Sequence, residues 1–393
     1  MHCAVFALGT LLLLTWLSPS DSDTSSRQRW EQQRLRAAST RNSTRFALFT
    51  DTHIWPPSSE QHAFTVSSDA QANRDGLLVA HSSGIFPVLL SELSKFAARG
   101  GMFGIHAGDV GCGGNNFFAS GLEFEAQLKS AAEMERQMPR GWPVYHVPGN
   151  HDLQPQRGGL NEWAAMFGSA GTRTDNSGAY YRSVRVTSGR WRIVLLDSAS
   201  GVGKDTNGHG HVGYQQLRWL RHELEQSIAA HEQVVIVVHQ LLVTPIDDDG
   251  NVCSWFVPEY DLISNAEEVL ALLHRFHHVR LVLHGHVHAN SVTRVGGVPF
   301  VTTSSASEYP MMWREIVLSP CEIELRTHQL PVPKLLEQSA LRDTRGLNEA
   351  KRGGALANHV VLPHCGASAS TSSGSLRRHA TDLKRRRRWL LRS

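Results

Sequence analysis

The chain has 393 residues, 41% hydrophobic and 19% charged, with Lys+Arg 39 against Asp+Glu 36 and a net charge of +3. That length suits one large domain or two ordinary ones, and five Cys exclude a disulfide-built scaffold. A mean hydropathy of -0.27, with no 18-residue apolar run beyond the N-terminus, excludes a multi-span membrane protein.

Val5 to Leu17 is an apolar run, followed by Ser18-Pro19-Ser20 and the polar Asp21-Ser22-Asp23. This predicts a signal peptide over 1–20, and with it the secretory route: secreted, or resident in an endomembrane lumen. Left uncut, the same segment would tether the chain to a membrane. Residues 21–44 are Ser/Arg/Gln-rich and read as a flexible lead-in. Asn42-Ser43-Thr44 is a glycosylation sequon, usable only on that route.

Strands and helices then alternate. Phe46 to Thr50 is a short apolar run ending at Asp51. Pro56 to His81 shows no clear pattern. Phe86 to Ala98 has helical spacing and stops at Gly100-Gly101. Met102 to Ala107 reads as a strand ending at Gly108-Asp109, and Phe124 to Met138 as a helix. Pro143 to Val147 reads as a strand ending at Gly149-Asn150. Tyr180 to Val186 and Trp191 to Leu196 suggest a hairpin around Ser188-Gly189. Tyr214 to Ala230 reads as a helix, and Val234 to Val238 as a buried strand ending at His239. Ser264 with Glu267 suggests a capping box for a helix bearing Val269, Leu270 and Leu273. Val279 to Leu283 runs into His284-Gly285-His286, and three more strands follow (Pro299 to Thr303, Arg314 to Leu318, Ile323 to His328). The alternation predicts an α/β sandwich with a mixed sheet over residues 45–331.

From 332 on, periodicity fades. Residues 332–393 hold 13 Lys/Arg against four acids, and residues 1–45 hold six Arg against three. The middle is therefore acidic, at -9. The tail is expected to be disordered, with at most weak contacts to anionic surfaces. An acidic middle argues against a specific nucleic-acid partner.

At least five strands end in a residue that binds metals or moves protons: Asp51 and His53, Asp109, Asn150 and His151, His239, then His286 and His288. In open α/β sheets, sites form at the carboxyl ends of strands. If extended, Asp51 and His53 point the same way and can grip one ion, as can His286 and His288. A carboxylate such as Asp109 can bridge two ions. Mixed His/Asp/Asn ligation without thiolate suits two divalent or trivalent ions, Fe, Mn or Zn. Two such ions clamp phosphoryl oxygens and acidify a water to hydroxide. His151 is then left to protonate a leaving oxygen, with Asp152 placed to orient its ring. His106 and His284 read as core or supporting residues. His209-Gly210-His211 reads as a surface loop, and His277-His278 as a helix C-terminus facing the dipole. Cys112 and Cys253, or Cys321 and Cys365, could form disulfides. Trp55, Trp255, Phe256 and Tyr309 are candidate pocket aromatics.

The ordered set Asp51-Thr52-His53, Gly108-Asp109, Gly149-Asn150-His151-Asp152, His239 and Gly285-His286-Val287-His288 resembles the calcineurin-like metallophosphoesterase superfamily, with its pattern D-x-H, G-D, G-N-H-[DE], H, G-H-x-H. The resemblance covers roughly 46–330. It implies a four-layer α/β/β/α sandwich with a binuclear metal site at strand ends. It places the first metal on Asp51, His53 and His288 and the second on Asn150, His239 and His286. Asp109 would bridge, and His151 would be the catalytic histidine. The implied activity is hydrolysis of a small phosphate ester, mono- or diester, by a metal-bound hydroxide. The alternative is a non-catalytic metal- or partner-binding protein on the same scaffold. Cys112 stands where a Tyr marks the purple acid phosphatase branch, which argues against that branch. Tyr214 to Leu220 and Tyr309-Pro310 resemble segments of cyclic-nucleotide phosphodiesterase-like and acid-phosphatase-like members.

Overall fold

The computed structural model describes residues 43–55, 76–112, 121–153, 160–168, 173–174, 178–186, 190–200 and 209–364. The expected signal peptide, the lead-in as far as the sequon asparagine, the hairpin turn and residues 365–393 of the tail lie outside these, and Thr44, expected to end the lead-in, opens β1. In chain order the first elements are β1 (Thr44–Phe49), α1 (Ser82–Ala98), β2 (Phe103–His106), α2 (Gly121–Glu135), β3 (Val144–His146) and α3 (Asn161–Phe167). β4 (Arg173–Thr174), β5 (Tyr180–Val186), β6 (Trp191–Leu196), α4 (Tyr214–Ala229), β7 (Gln233–Val238), α5 (Pro258–Asp261), α6 (Ala266–Leu273) and β8 (Val279–His284) follow. The last are β9 (Ser291–Val295), β10 (Val298–Thr302), β11 (Met312–Leu318), β12 (Glu322–Gln329), α7 (Pro333–Arg342), α8 (Asn348–Arg352), α9 (Ala355–Asn358) and β13 (His359–Pro363).

The strands form two mixed sheets, ordered β13-β12-β11-β1-β2-β3 and β4-β5-β6-β7-β8-β10-β9. In the first, β1-β2-β3 run parallel. In the second, β6-β7-β8 and β10 run parallel. Side chains alternate across a strand, so each buried strand feeds two cores. Phe46 and Leu48 of β1 point into the layer between the sheets, where they meet Ile193, Val235, Val237, Leu281 and Leu283 of the second sheet. Ala47 and Phe49 point outwards, to Leu89, Leu93 and Phe96 of α1 and Leu128 of α2. Val234, Ile236 and Val238 face Leu220 and Leu224 of α4 and Val269 and Leu273 of α6. The result is a four-layer α/β/β/α sandwich. Both faces of the central strands are covered, which is why these strands read as continuous apolar runs. Full burial of each such side chain contributes about 1.5–3 kcal/mol.

Three local expectations change. The capping box does not form: α6 starts at Ala266 with no side-chain cap bond, and Ser264 Oγ pairs instead with His211 Nδ1 at 3.0 Å. His277 and His278 lie beyond the end of α6, and His278 Nε2 pairs with Ser227 Oγ at 2.7 Å. Cys112 and Cys253 are free, whereas Cys321 is in a disulfide.

The largest correction concerns the chain after 331. Residues 332–364 are folded. β13 pairs antiparallel with β12, from Glu322↔Pro363 to Arg326↔His359. The buried Arg314 guanidinium on β11 donates to the Ala357 carbonyl at 2.7 Å and to Thr303, Thr327, Asn290 and Thr302. Short helices with few apolar residues hid this segment from a periodicity argument. Tertiary hydrogen bonds hold it rather than a wide apolar stripe.

Candidate metal centre

The strand ends of both sheets converge on one cleft of about 270 Å³, lined by His53, Asp109, His151, His286 and His288 among others. Asp51 and His53 follow β1, Asp109 follows β2, His239 follows β7, and His286 and His288 follow β8. Asn150, His151 and Asp152 form one 3-10 turn after β3.

Of the eight non-glycine residues with positive φ among those described, five belong to this set: Asp51 (52°), His53 (45°), Asp109 (56°), His286 (72°) and His288 (52°). Such conformations cost of order 1–3 kcal/mol each and persist where surrounding structure imposes them. The Asp51-x-His53 pair is therefore not extended. The chain turns at both residues, and one loop after β1 brings both side chains to the centre. The motif glycines answer a steric demand. Gly108 has φ +104°, and a Cβ there would collide with the His239 ring. A Cβ on Gly149 would collide with Asp109 Oδ1.

Three groups of ligand atoms lie within 4.8 Å of one another: Asp51, His53 and His288; His53, Asp109 and His151; Asp109, His239 and His286. Asp51 Oδ1 sits 3.3 Å from His288 Nε2 and 3.9 Å from both His53 Nε2 and His239 Nε2. His239 Nε2 is 3.1 Å from Asp109 Oδ2. Asp109 belongs to two groups, the placement a bridging carboxylate needs. Buried and without a hydrogen bond are Asp51 Oδ1, Asn150 Oδ1 and His239 Nε2. Unpaired buried polar atoms are costly, and a set of them aimed at one point fits cations.

In three of the four imidazoles the outer nitrogen is fixed by an oxygen, whereas His53 Nδ1 is buried without a hydrogen bond. His239 Nδ1 donates to the Ala107 carbonyl at 2.7 Å. His288 Nδ1 donates to Glu308 Oε2 at 2.5 Å. His286 Nε2 donates to the Tyr260 carbonyl at 3.1 Å. Such partners set the tautomer and leave the other nitrogen for a metal. Burial and the nearby His151 and His288 push His53 down to about 3; burial and His239 push His286 down to about 4. Burial alone would also lower His239 and His288, but the adjacent carboxylates raise them to about 9 and about 10. Burial would raise Asp51, but His288 and His239 hold it down near about 2.

His151 lies beside Asp109, whose Oδ1 accepts the His151 peptide N–H at 2.8 Å. Asp152 has a different place from the one its sequence position suggests. Its carboxylate accepts the peptide N–H groups of Asp109 (2.9 Å), Val110 (2.9 Å), Gly111 (3.2 Å) and Gly149 (2.9 Å). It clamps the Asp109 loop and does not orient the His151 ring.

His106 and His284 are fully buried supports. His106 Nε2 donates to Thr52 Oγ1 at 2.9 Å, and His284 Nδ1 donates to the Gln240 carbonyl at 2.9 Å. Trp255 lines the cleft, whereas Trp55 packs with Val79 and Cys112. Sequence reasoning missed Tyr260, Asp261, Glu308, Arg345 and Lys351, all on the cleft wall. None sits in a motif at a strand end, and two come from the segment expected to be disordered.

The family model described as calcineurin-like phosphoesterase matches residues 44–290. The chain is 30% identical over 148 residues to the 3',5'-cyclic adenosine monophosphate phosphodiesterase CpdA of Escherichia coli K12, covering 37% of this chain and 43% of that protein. It is 26% identical over 171 residues to the protein of the same name from Haemophilus influenzae, covering 43% and 52%. The chain thus spans about half the length of the curated relatives it matches. Among solved structures, a dimetal phosphatase from Danio rerio aligns with a TM-score of 0.55 at 15% identity, covering 82% of this chain and 99% of that one. This likeness shows the fold.

Proposed function

The chain belongs to the calcineurin-like phosphoesterase family, and from that membership we propose that it hydrolyses a small phosphate ester at a site for two cations. The observation that carries this reading is Asp109, shared between two ligand groups. Asp51, His53 and His288 would hold one cation. Asn150, His239 and His286 would hold the other, with Asp109 between them. Bound cations would neutralise phosphoryl charge and lower the pKa of a water.

The chain's own groups do the rest. Ala107, Tyr260 and Glu308 hold three imidazoles in the ligating tautomer. Asp152 fixes the Asp109 loop through four N–H groups. His151, tied by its peptide to Asp109 and facing the cleft, is placed to protonate the departing ester oxygen. The cleft wall carries Arg345, which suits an anionic substrate in an acidic domain. Mixed imidazole and carboxylate donors suit Mn, Zn or Fe.

The named relatives are cyclic-AMP phosphodiesterases, which favours diesters as first substrates. The test is hydrolysis of 4-nitrophenyl phosphate, bis-4-nitrophenyl phosphate and cyclic nucleotides with Mn, Zn and Fe added separately. Turnover of any, lost on chelation, supports the reading. Two bound ions with no turnover on all of them would leave a non-catalytic metal-binding scaffold.

We also propose the secretory route as the setting. The apolar Val5 to Leu17 run, the Asn42 sequon and the Cys321 disulfide support it. Glycosidase-sensitive mobility of the expressed protein would test it; a glycan-free, cytosolic product would oppose it.

A further inference from the structure

The C-terminal segment reaches into the metal centre. Lys351 of α8 is 4% exposed and Glu308 2% exposed. Lys351 Nζ pairs with Glu308 Oε1, and Glu308 Oε2 accepts the His288 Nδ1 proton at 2.5 Å. The Lys351 carbonyl also accepts the Asn290 peptide N–H at 2.8 Å, two residues beyond His288. One residue of α8 therefore grips the His288 loop by its backbone and the His288 ring through Glu308. Trp255 Nε1 donates to the Ala350 carbonyl at 3.2 Å and holds the same helix against the cleft.

Relying on the two-cation reading above, we infer that Lys351 and Glu308 are positioning residues for the cation held by Asp51, His53 and His288. A buried carboxylate is costly without a counter-charge. Lys351 supplies that charge and fixes the carboxylate in line with His288 Nδ1–H. Glu308 in turn holds the ring so that Nε2 faces Asp51 Oδ1 at 3.3 Å. The segment after residue 331 is thus part of the metal site. Outer partners of this kind change metal affinity about 10–100-fold when removed.

The test is calorimetric titration of the metal-stripped full chain with Mn²⁺, on wild type, Lys351→Met, Glu308→Gln, the double variant, Lys351→Arg and Glu315→Gln. Glu315 of β11 contacts Arg45 and His328 and lines no part of the cleft, so its loss weakens the fold without touching Glu308. Lys351→Met and Glu308→Gln should each weaken one of the two ions about 10–100-fold. The double variant should be no weaker than the worse single, and Lys351→Arg should recover most of the loss. Glu315→Gln should lower Tm and leave both affinities in place. A folded Lys351→Met that binds both ions like wild type overturns the inference. If Lys351→Met does not fold, the same decision falls to Glu308→Gln, which keeps its shape. Failure of the wild type to bind two ions would instead remove the metal reading itself.

Discussion

The Nε2 atoms of His53 and His288 face each other at 3.0 Å, with Asp51 Oδ1 3.3 Å from the latter. Glu308 Oε2 accepts a hydrogen bond from His288 Nδ1, so when neutral His288 presents its Nε2 lone pair towards His53. Two such lone pairs and a carboxylate oxygen at one point are stable around a cation. Chelation should therefore do more than stop turnover. It should lower Tm, because a ligand at about 1,000 times its Kd contributes about 4 kcal/mol to stability. A Tm unmoved by chelator and by added Mn²⁺ would contradict this.

Asp152→Asn tests the loop clamp. An amide NH₂ in place of one carboxylate oxygen would face peptide N–H groups at Asp109, Val110, Gly111 or Gly149. The expected cost is about 1–3 kcal/mol of stability, with a drop in bound metal. Had Asp152 oriented the His151 ring, the variant would keep its Tm and metal and lose only turnover. Differential scanning calorimetry with metal analysis separates the two.

Glu315 gives a pH-dependent stability term far from the cleft. Its Oε2 lies 3.4 Å from His328 Nε2, and its Oε1 accepts from Arg45 Nε and Nη2 at 3.2 and 2.7 Å. The His328 contact and the Arg45 guanidinium hold the Glu315 carboxyl down near about 2, against burial. A lowered pKa stabilises the fold fully above the ordinary value of 4.5 and is lost as pH falls towards about 2. Glu315→Gln should cost about 1 kcal/mol at pH 7 and flatten the stability profile below pH 4.5. Urea melts from pH 7 to 3 measure this; parallel profiles for the two proteins would refute it.

Truncation after Pro331 tests the folded C-terminal segment. It removes β13 from Glu322 to Arg326 and the Ala357 carbonyl from Arg314. It also removes Lys351 from Glu308. With about 1 kcal/mol per hydrogen bond, the loss is on the order of 5 kcal/mol, a large part of the stability of an ordinary domain. The truncated chain should be insoluble or melt far lower. Melting at the wild-type temperature would show the segment to be dispensable.

The strand-end ligands were legible because the apolar runs of β1, β2, β7 and β8 are buried on both faces and stop abruptly at Asp51, Asp109, His239 and His284. Their local geometry was not. Asp51 and His53 read as an extended pair, but both adopt positive φ, which no spacing argument reports. Glu308 and Lys351 were invisible because their roles come from contacts across 20 and 43 residues, respectively. Asp152 was assigned to its neighbour His151 because adjacency in sequence was the only cue. Its carboxylate binds residues about 40 positions earlier.

A site in which two cations share Asp109 would make both Asp109 and a second equivalent of metal indispensable to ester hydrolysis. The most direct measurement titrates metal-stripped wild type and Asp109→Asn with Mn²⁺ while following bis-4-nitrophenyl phosphate hydrolysis. Wild-type rate should saturate at two equivalents. Asp109→Asn should fold yet lose about 1,000-fold or more in kcat, an increase of about 4 kcal/mol in the barrier. Saturation at one equivalent, or near-normal turnover by folded Asp109→Asn, would rule out a shared two-cation site.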